Sequence, residues 1–141
     1  MRLAVLAGLA ATPLLLLAAC TDPAPAPPPA PPPPAPTSVF GGLDLAQPFT
    51  VRGTEPFWAV VVTPATLDYS GLDRPQQTAA NPGPVITGSS AVYSVTTSLN
   101  NSLVVTLTVD PTCTDGMSEV VYPLAATVQI GTETLTGCAG A

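Results

Sequence analysis

The chain has 141 residues, 46% hydrophobic and 9% charged, with 3 basic and 9 acidic side chains, no histidine, 3 cysteines and 19 prolines. The apolar density is concentrated in the first nineteen residues, which supports one anchor and excludes a multi-span membrane protein. Beyond Arg2, only Arg52 and Arg74 face nine acids, a net −7, so nucleic-acid binding, which neutralises phosphates with Lys and Arg, has nothing to work with.

Met1-Arg2 gives a short positive start. Leu3 to Leu17 is apolar apart from Gly8, Thr12 and Pro13, and Leu17-Ala18-Ala19-Cys20 closes the run. The pattern predicts a lipoprotein signal peptide over residues 1–19, with Cys20 taking a diacylglyceryl thioether before cleavage makes it the first mature residue. The rival is an uncleaved transmembrane anchor, but the run is near the lower limit for spanning a bilayer and carries Pro13. Two or three acyl chains, palmitate among them, would hold the protein at about 0.8 kcal/mol per buried methylene. The expected partner at this end is therefore the membrane. In the sorting rule of enteric bacteria an aspartate after the cysteine retains a lipoprotein at the inner membrane. Thr21 stands there, so the expectation is an extracytoplasmic cell-envelope location, at the outer membrane where the organism has two.

Residues 20–38 form the lipidated N-terminus and a tether. Positions 23 to 36 are ten prolines and four alanines, which can build no core. Proline fixes φ and lacks an amide donor, so the stretch favours polyproline II and would reach roughly 43 Å as a semi-rigid spacer.

From Val39 to Ala141, 103 residues are enough for one small core. The period is two. Leu103, Val105, Leu107 and Val109 alternate with Val104, Thr106 and Thr108, and Leu124, Ala126, Val128 and Ile130 alternate with Ala125, Thr127 and Gln129. Further strands are predicted at Phe49–Arg52, Phe57–Thr63, Thr66–Ser70, Ala91–Thr97 and Glu133–Thr136, and no segment reads as a helix. Asn100-Asn101 and Gly131-Thr132 supply turn residues, and counting outward from Gly131-Thr132 sets Val128 opposite Leu135. Gly71 to Ser90, with Pro75, Pro82 and Pro84, reads as a long loop. About seven short antiparallel strands predict an all-β fold, a small barrel or sandwich.

With Cys20 taken by lipid, Cys113 and Cys138 remain as an even pair in an oxidising compartment, and a disulfide is expected. A metal site would need more ligands than two thiols, and a redox pair usually has C-x-x-C spacing. The chain-entropy account gives about 3.5 kcal/mol for closing such a loop.

Two clusters carry the remaining chemistry: GTEPFW at Gly53–Trp58 and CTDGMSEVVYP at Cys113–Pro123. Together with the closing Gly137-Cys138 they resemble a family of uncharacterised bacterial envelope proteins and lipoproteins marked by G-x-E-P-F-W and C-x-D-G-M-S-D/E-x-x-Y-P segments. Members of it are sometimes joined to META-type or lysozyme-inhibitor-like domains. The likeness covers most of the 103 residues, with Glu119 where aspartate is commoner and a shortened, proline-rich middle. The resemblance implies an envelope protein and names no activity.

Glu55, Phe57, Trp58, Asp115 and Glu119 are the candidate ligand-binding residues. Glu55 reads as a carboxylate capping backbone amides with Phe57 and Trp58 filling the core, or else as part of an aromatic platform for a sugar. Asp110, Asp115 and Glu119 raise a calcium site, but the spacing is not D-x-D-x-D-G, and turn-capping by Asp115 fits better. Without histidine or lysine no serine is activated in the ordinary way, so no catalytic residue is assigned and no cofactor or metal is implied. The expected function is a lipid-anchored, non-catalytic binding or structural role toward an envelope protein or cell-wall glycan. Inhibition of a lysozyme-like cell-wall hydrolase comes second and a carboxylate-based hydrolase third.

Overall fold

A computed structural model of the chain describes residues 38–141. The signal peptide expected over residues 1–19, the lipidation expected at Cys20 and the expected Pro/Ala tether fall outside the described residues. Within them there are eleven strands and no helix: β1 (Val39–Phe40), β2 (Leu43–Asp44), β3 (Phe49–Thr54), β4 (Phe57–Val62), β5 (Thr66–Gly71), β6 (Arg74–Ala80), β7 (Val85–Thr87), β8 (Ser90–Thr96), β9 (Ser102–Thr114), β10 (Val121–Ile130) and β11 (Glu133–Gly140).

β1 and β2 pair as a small hairpin, and the other nine form one antiparallel sheet in the order β6-β5-β4-β3-β11-β10-β9-β8-β7. Two meanders, β3 to β6 and β7 to β11, are joined where β11 pairs β3, with Cys138 opposite Arg52 and Gly140 opposite Thr50. The sheet curls into a half-barrel, and the period-two pattern places one face of every long strand inside. Val51, Val60, Leu67, Tyr93, Val105 and Val128 are wholly buried there. Each such side chain contributes about 1.5–3 kcal/mol on leaving water. Phe40 and Leu43 of the small hairpin enter the same cluster.

Curling brings β6, one margin of the sheet, to the turn between β8 and β9 near the other. The buried Gln77 of β6 accepts hydrogen bonds at Oε1 from the Thr97 hydroxyl (2.7 Å) and the Asn101 side-chain amide (2.9 Å), both in the turn between β8 and β9. The Ser98 amide donates to the Thr78 carbonyl at 2.7 Å. A second cross-link ties β6 to β11, where Arg74 donates from Nε to Glu133 Oε2 at 2.9 Å.

The last hairpin has the expected register, with Val128 opposite Leu135. Gly131 has φ 59° and Thr132 does not share its positive φ, as a turn with glycine first requires. The stretch from Gly71 to Ser90, expected as a loop, instead holds β6 and β7. Its alternation is carried by Gln77 and Ala79, which are inward but not strongly apolar, and Pro75 is tolerated because β6 lies at the sheet margin. These strands, with β1 and β2, raise the strand number above the seven expected.

Candidate functional site

Asp110–Thr114 and Val121–Tyr122 prolong β9 and β10 past a break in their register. Val109 faces Leu124 and Cys113 faces Tyr122, so β9 carries two more residues than β10 across the break. Pro111 and Pro123 fall there, each without an amide for the ladder. The Asp110 carboxylate accepts from the Thr112 amide (3.0 Å) and hydroxyl (2.7 Å), filling the irregularity. The resulting arm turns back over the outer face of the sheet. Tyr122 lies over Arg52, with the guanidinium carbon 5.6 Å from the ring centroid. Cys113 is bridged to Cys138, Cα atoms 5.9 Å apart, although β10 separates their strands in the sheet. Thr54 Oγ1 donates to the Asp115 carbonyl at 2.9 Å.

The fold-back brings the two sequence clusters together from 61 residues apart. The arm tip is organised by Asp115. Its Oδ1 accepts from the Met117 amide (3.0 Å), the Ser118 amide (2.9 Å) and the Ser118 hydroxyl (2.9 Å), and Oδ2 accepts from the Tyr122 hydroxyl (3.3 Å). Gly116, at φ 75°, permits the turn. These donors, the two amides foremost, hold the Asp115 carboxyl below its ordinary value. Asp115 thus caps its own turn, as the sequence suggested.

Two open grooves flank the meeting point. One, of about 560 Å³, lies between the β3–β4 connection and the arm, with Glu55, Asp115 and the Cys113–Cys138 bridge in its walls. The other, of about 530 Å³, runs along the outside of β3, β4 and β5, from Arg52 and Ala59 to Leu72, with Met117 of the arm as one wall.

The candidate residues fare differently. Trp58 is core, only 4% exposed, and its ring lies against Gly53, where an added Cβ would come within 2.6 Å of the indole Cε2. Phe57, the preceding residue on the strand, points outward and is 51% exposed, so the aromatics do not both fill the core. Glu55 is exposed in the two-residue β3–β4 connection, whose Glu55–Pro56 peptide is cis, and it makes no hydrogen bond to any described residue. The capping role expected of it is not seen, since a tight hairpin that includes a proline leaves few amides to cap. Glu119 is exposed at the arm tip. Among the described residues no three acidic or cysteine side chains are grouped as metal ligands.

Sequence reasoning missed Arg52, Leu72 and Tyr122. Leu72 lay in the supposed loop, whereas Arg52 carried a signal, being one of three cations in the sequence. No family model, curated protein or solved structure matches the chain.

Proposed function

We propose that this is a lipid-anchored, extracytoplasmic β-domain with a non-catalytic binding role, held to the membrane through Cys20 and meeting an envelope protein or cell-wall glycan at the grooves beside the arm. The resemblance to the envelope family marked by the Gly53–Trp58 and Cys113–Pro123 segments belongs to the same proposal. The observation that carries it is the convergence of those two segments on one open surface. There Phe57 (51% exposed), Leu72 (76%) and Met117 (68%) are left uncovered, an arrangement that costs solubility and serves contact. Inhibition of a lysozyme-like hydrolase is favoured by one feature, the exposed Glu55 beside the exposed Phe57 at the hairpin tip of an acidic chain.

The test is a thermal melt of the full chain with cell-wall fragments, cationic lysozymes or calcium, coupled to crosslinking in the intact envelope. A partner that binds only the folded form raises the midpoint, because it adds about 2.7 kcal/mol of stability at one hundred times its dissociation constant. The expected result is a shift or a crosslink that Phe57→Ser and Met117→Ser abolish while the unliganded midpoint stays in place. A shift with lysozyme and stoichiometric inhibition selects the second reading, and turnover of a glycan selects the third. Partner contacts that are unaffected by both variants would overturn the assignment of the surface.

A further inference from the structure

Arg52 is a cation without an anion. Eight acids stand among the described residues, and the other described cation, Arg74, is paired with Glu133. No carboxylate among the described residues lies within ion-pair distance of Arg52. Its Nε is buried and has no hydrogen-bond partner. Buried donors of this kind are uncommon enough that each calls for an explanation. Stacking on Tyr122 provides packing, but it leaves the Nε–H of the guanidinium without an acceptor. The nearest acidic candidate on the same groove, Asp115, has its carboxylate taken up by the Met117 and Ser118 amides and the Ser118 and Tyr122 hydroxyls.

Apart from Arg52, the polar residues of the groove are Thr54, Ser70 and Asp115, and the rest of its wall is apolar. Ala59 sits opposite Arg52 on the neighbouring strand, and Phe57, Leu72 and Met117 expose their side chains farther along. One cationic end and a run of apolar wall, in about 530 Å³, is the complement of a small anionic amphiphile. A guanidinium fork matches a planar carboxylate with two parallel hydrogen bonds.

We infer that the outer groove of β3–β5 binds a small carboxylate-bearing apolar molecule, with its carboxylate on Arg52 and its chain along Phe57, Leu72 and Met117. This rests on the reading that the surface beside the arm is the binding surface, and it names the ligand class for one of its two grooves.

Trp58 is the only tryptophan of the chain and lines this groove, so its emission reports occupancy. The probes are octanoate and its neutral analogue octanamide, titrated into the full chain reconstituted in phosphatidylcholine vesicles. Octanoate is expected to give a saturable change in emission, and octanamide to bind at least tenfold more weakly. Arg52→Gln should weaken octanoate about tenfold and leave octanamide unchanged, while Arg74→Gln leaves both as they were. The two-probe comparison on the unaltered chain stands even where Arg52→Gln fails to fold. No saturable response to octanoate, or equal binding of the two probes, overturns the inference. If octanoate is silent while Phe57→Ser and Met117→Ser still abolish a partner contact, the ligand class falls and the binding surface stands. If octanoate is silent and those variants change no partner contact, both fall.

Discussion

Phe57 and Trp58 are consecutive on β4, and strand geometry sends them to opposite faces. Trp58 sits inside, opposite Gly53 on β3, a position without a side chain that leaves room for the indole, while Gly71 on its other side leaves room for Tyr69. Trp58→Ala is therefore expected to cost about 3–5 kcal/mol, as large aromatic deletions from cores do. Phe57→Ala should stay within about 0.5 kcal/mol because the ring is already largely in water. Urea midpoints of the two variants check this, and equal losses would contradict the division of the pair. That the GTEPFW segment matters was legible, since the chain's only tryptophan lies within it. Which aromatic is buried was not, because β4 is apolar at every position and offers no alternation by which to assign its faces. Arg52 was legible as a rare cation, but its lack of a partner depends on where Asp115 commits its oxygens, which no spacing rule reveals.

Among the elements, β9 and β10 could be read from sequence because apolar residues recur there at every second position, and β11 and the register of the last hairpin followed from the turn at Gly131-Thr132. β6 could not, since Arg-Pro-Gln-Gln-Thr looks like a loop until Gln77 finds its partners across the half-barrel. The arm lies between these cases. Its cysteine pairing and the turn at Asp115 were foreseeable, whereas its return over the outer face depends on a register break at Pro111 and Pro123. Asp115 makes the arm sensitive to acid. Its carboxyl gives up its proton more readily in the folded arm than in the unfolded chain, so its stabilising contribution is complete above the ordinary value of 3.8 and fades as the pH falls through the lower folded value. Asp44, held chiefly by the Ser38 hydroxyl, and Asp110, held chiefly by the Thr112 hydroxyl, shift in the same direction. The melting temperature should accordingly be level from about pH 7 to about pH 5 and decline below about pH 4. Asp115→Asn should melt lower at neutral pH and decline less steeply in acid, because one titrating group is gone. Melting curves across that range check both points, and an unchanged acid slope would remove Asp115 from the account.

For the molecule as a whole, the all-β class and the single core were legible, but the closure of the sheet was not. Nine strands in one sheet leave two free margins, and hydrophobic alternation says nothing about where those margins go. Here polar groups join one margin, β6, to the β8–β9 turn near the other. Gln77, 2% exposed, and Thr97, 4% exposed, are the only buried polar or charged side chains among the described residues, and they bond to each other across the gap. A buried amide oxygen that accepts two donors is favourable only while both are in place, because each donor left behind in a dry site costs about 1–3 kcal/mol. Gln77→Ala should therefore destabilise the fold by roughly that amount or more, although it removes a polar residue from a core, and Gln76→Ala on the exposed side of the same strand should be close to neutral. The effect should also be local in hydrogen exchange. The Ser98 amide, which donates to the Thr78 carbonyl at the seam, should lose protection well before the Val128 amide in the middle of the sheet. Uniform loss at both sites would mean that Gln77 supports the core as a whole, whereas loss confined to Ser98 would identify it as the group that holds the half-barrel closed.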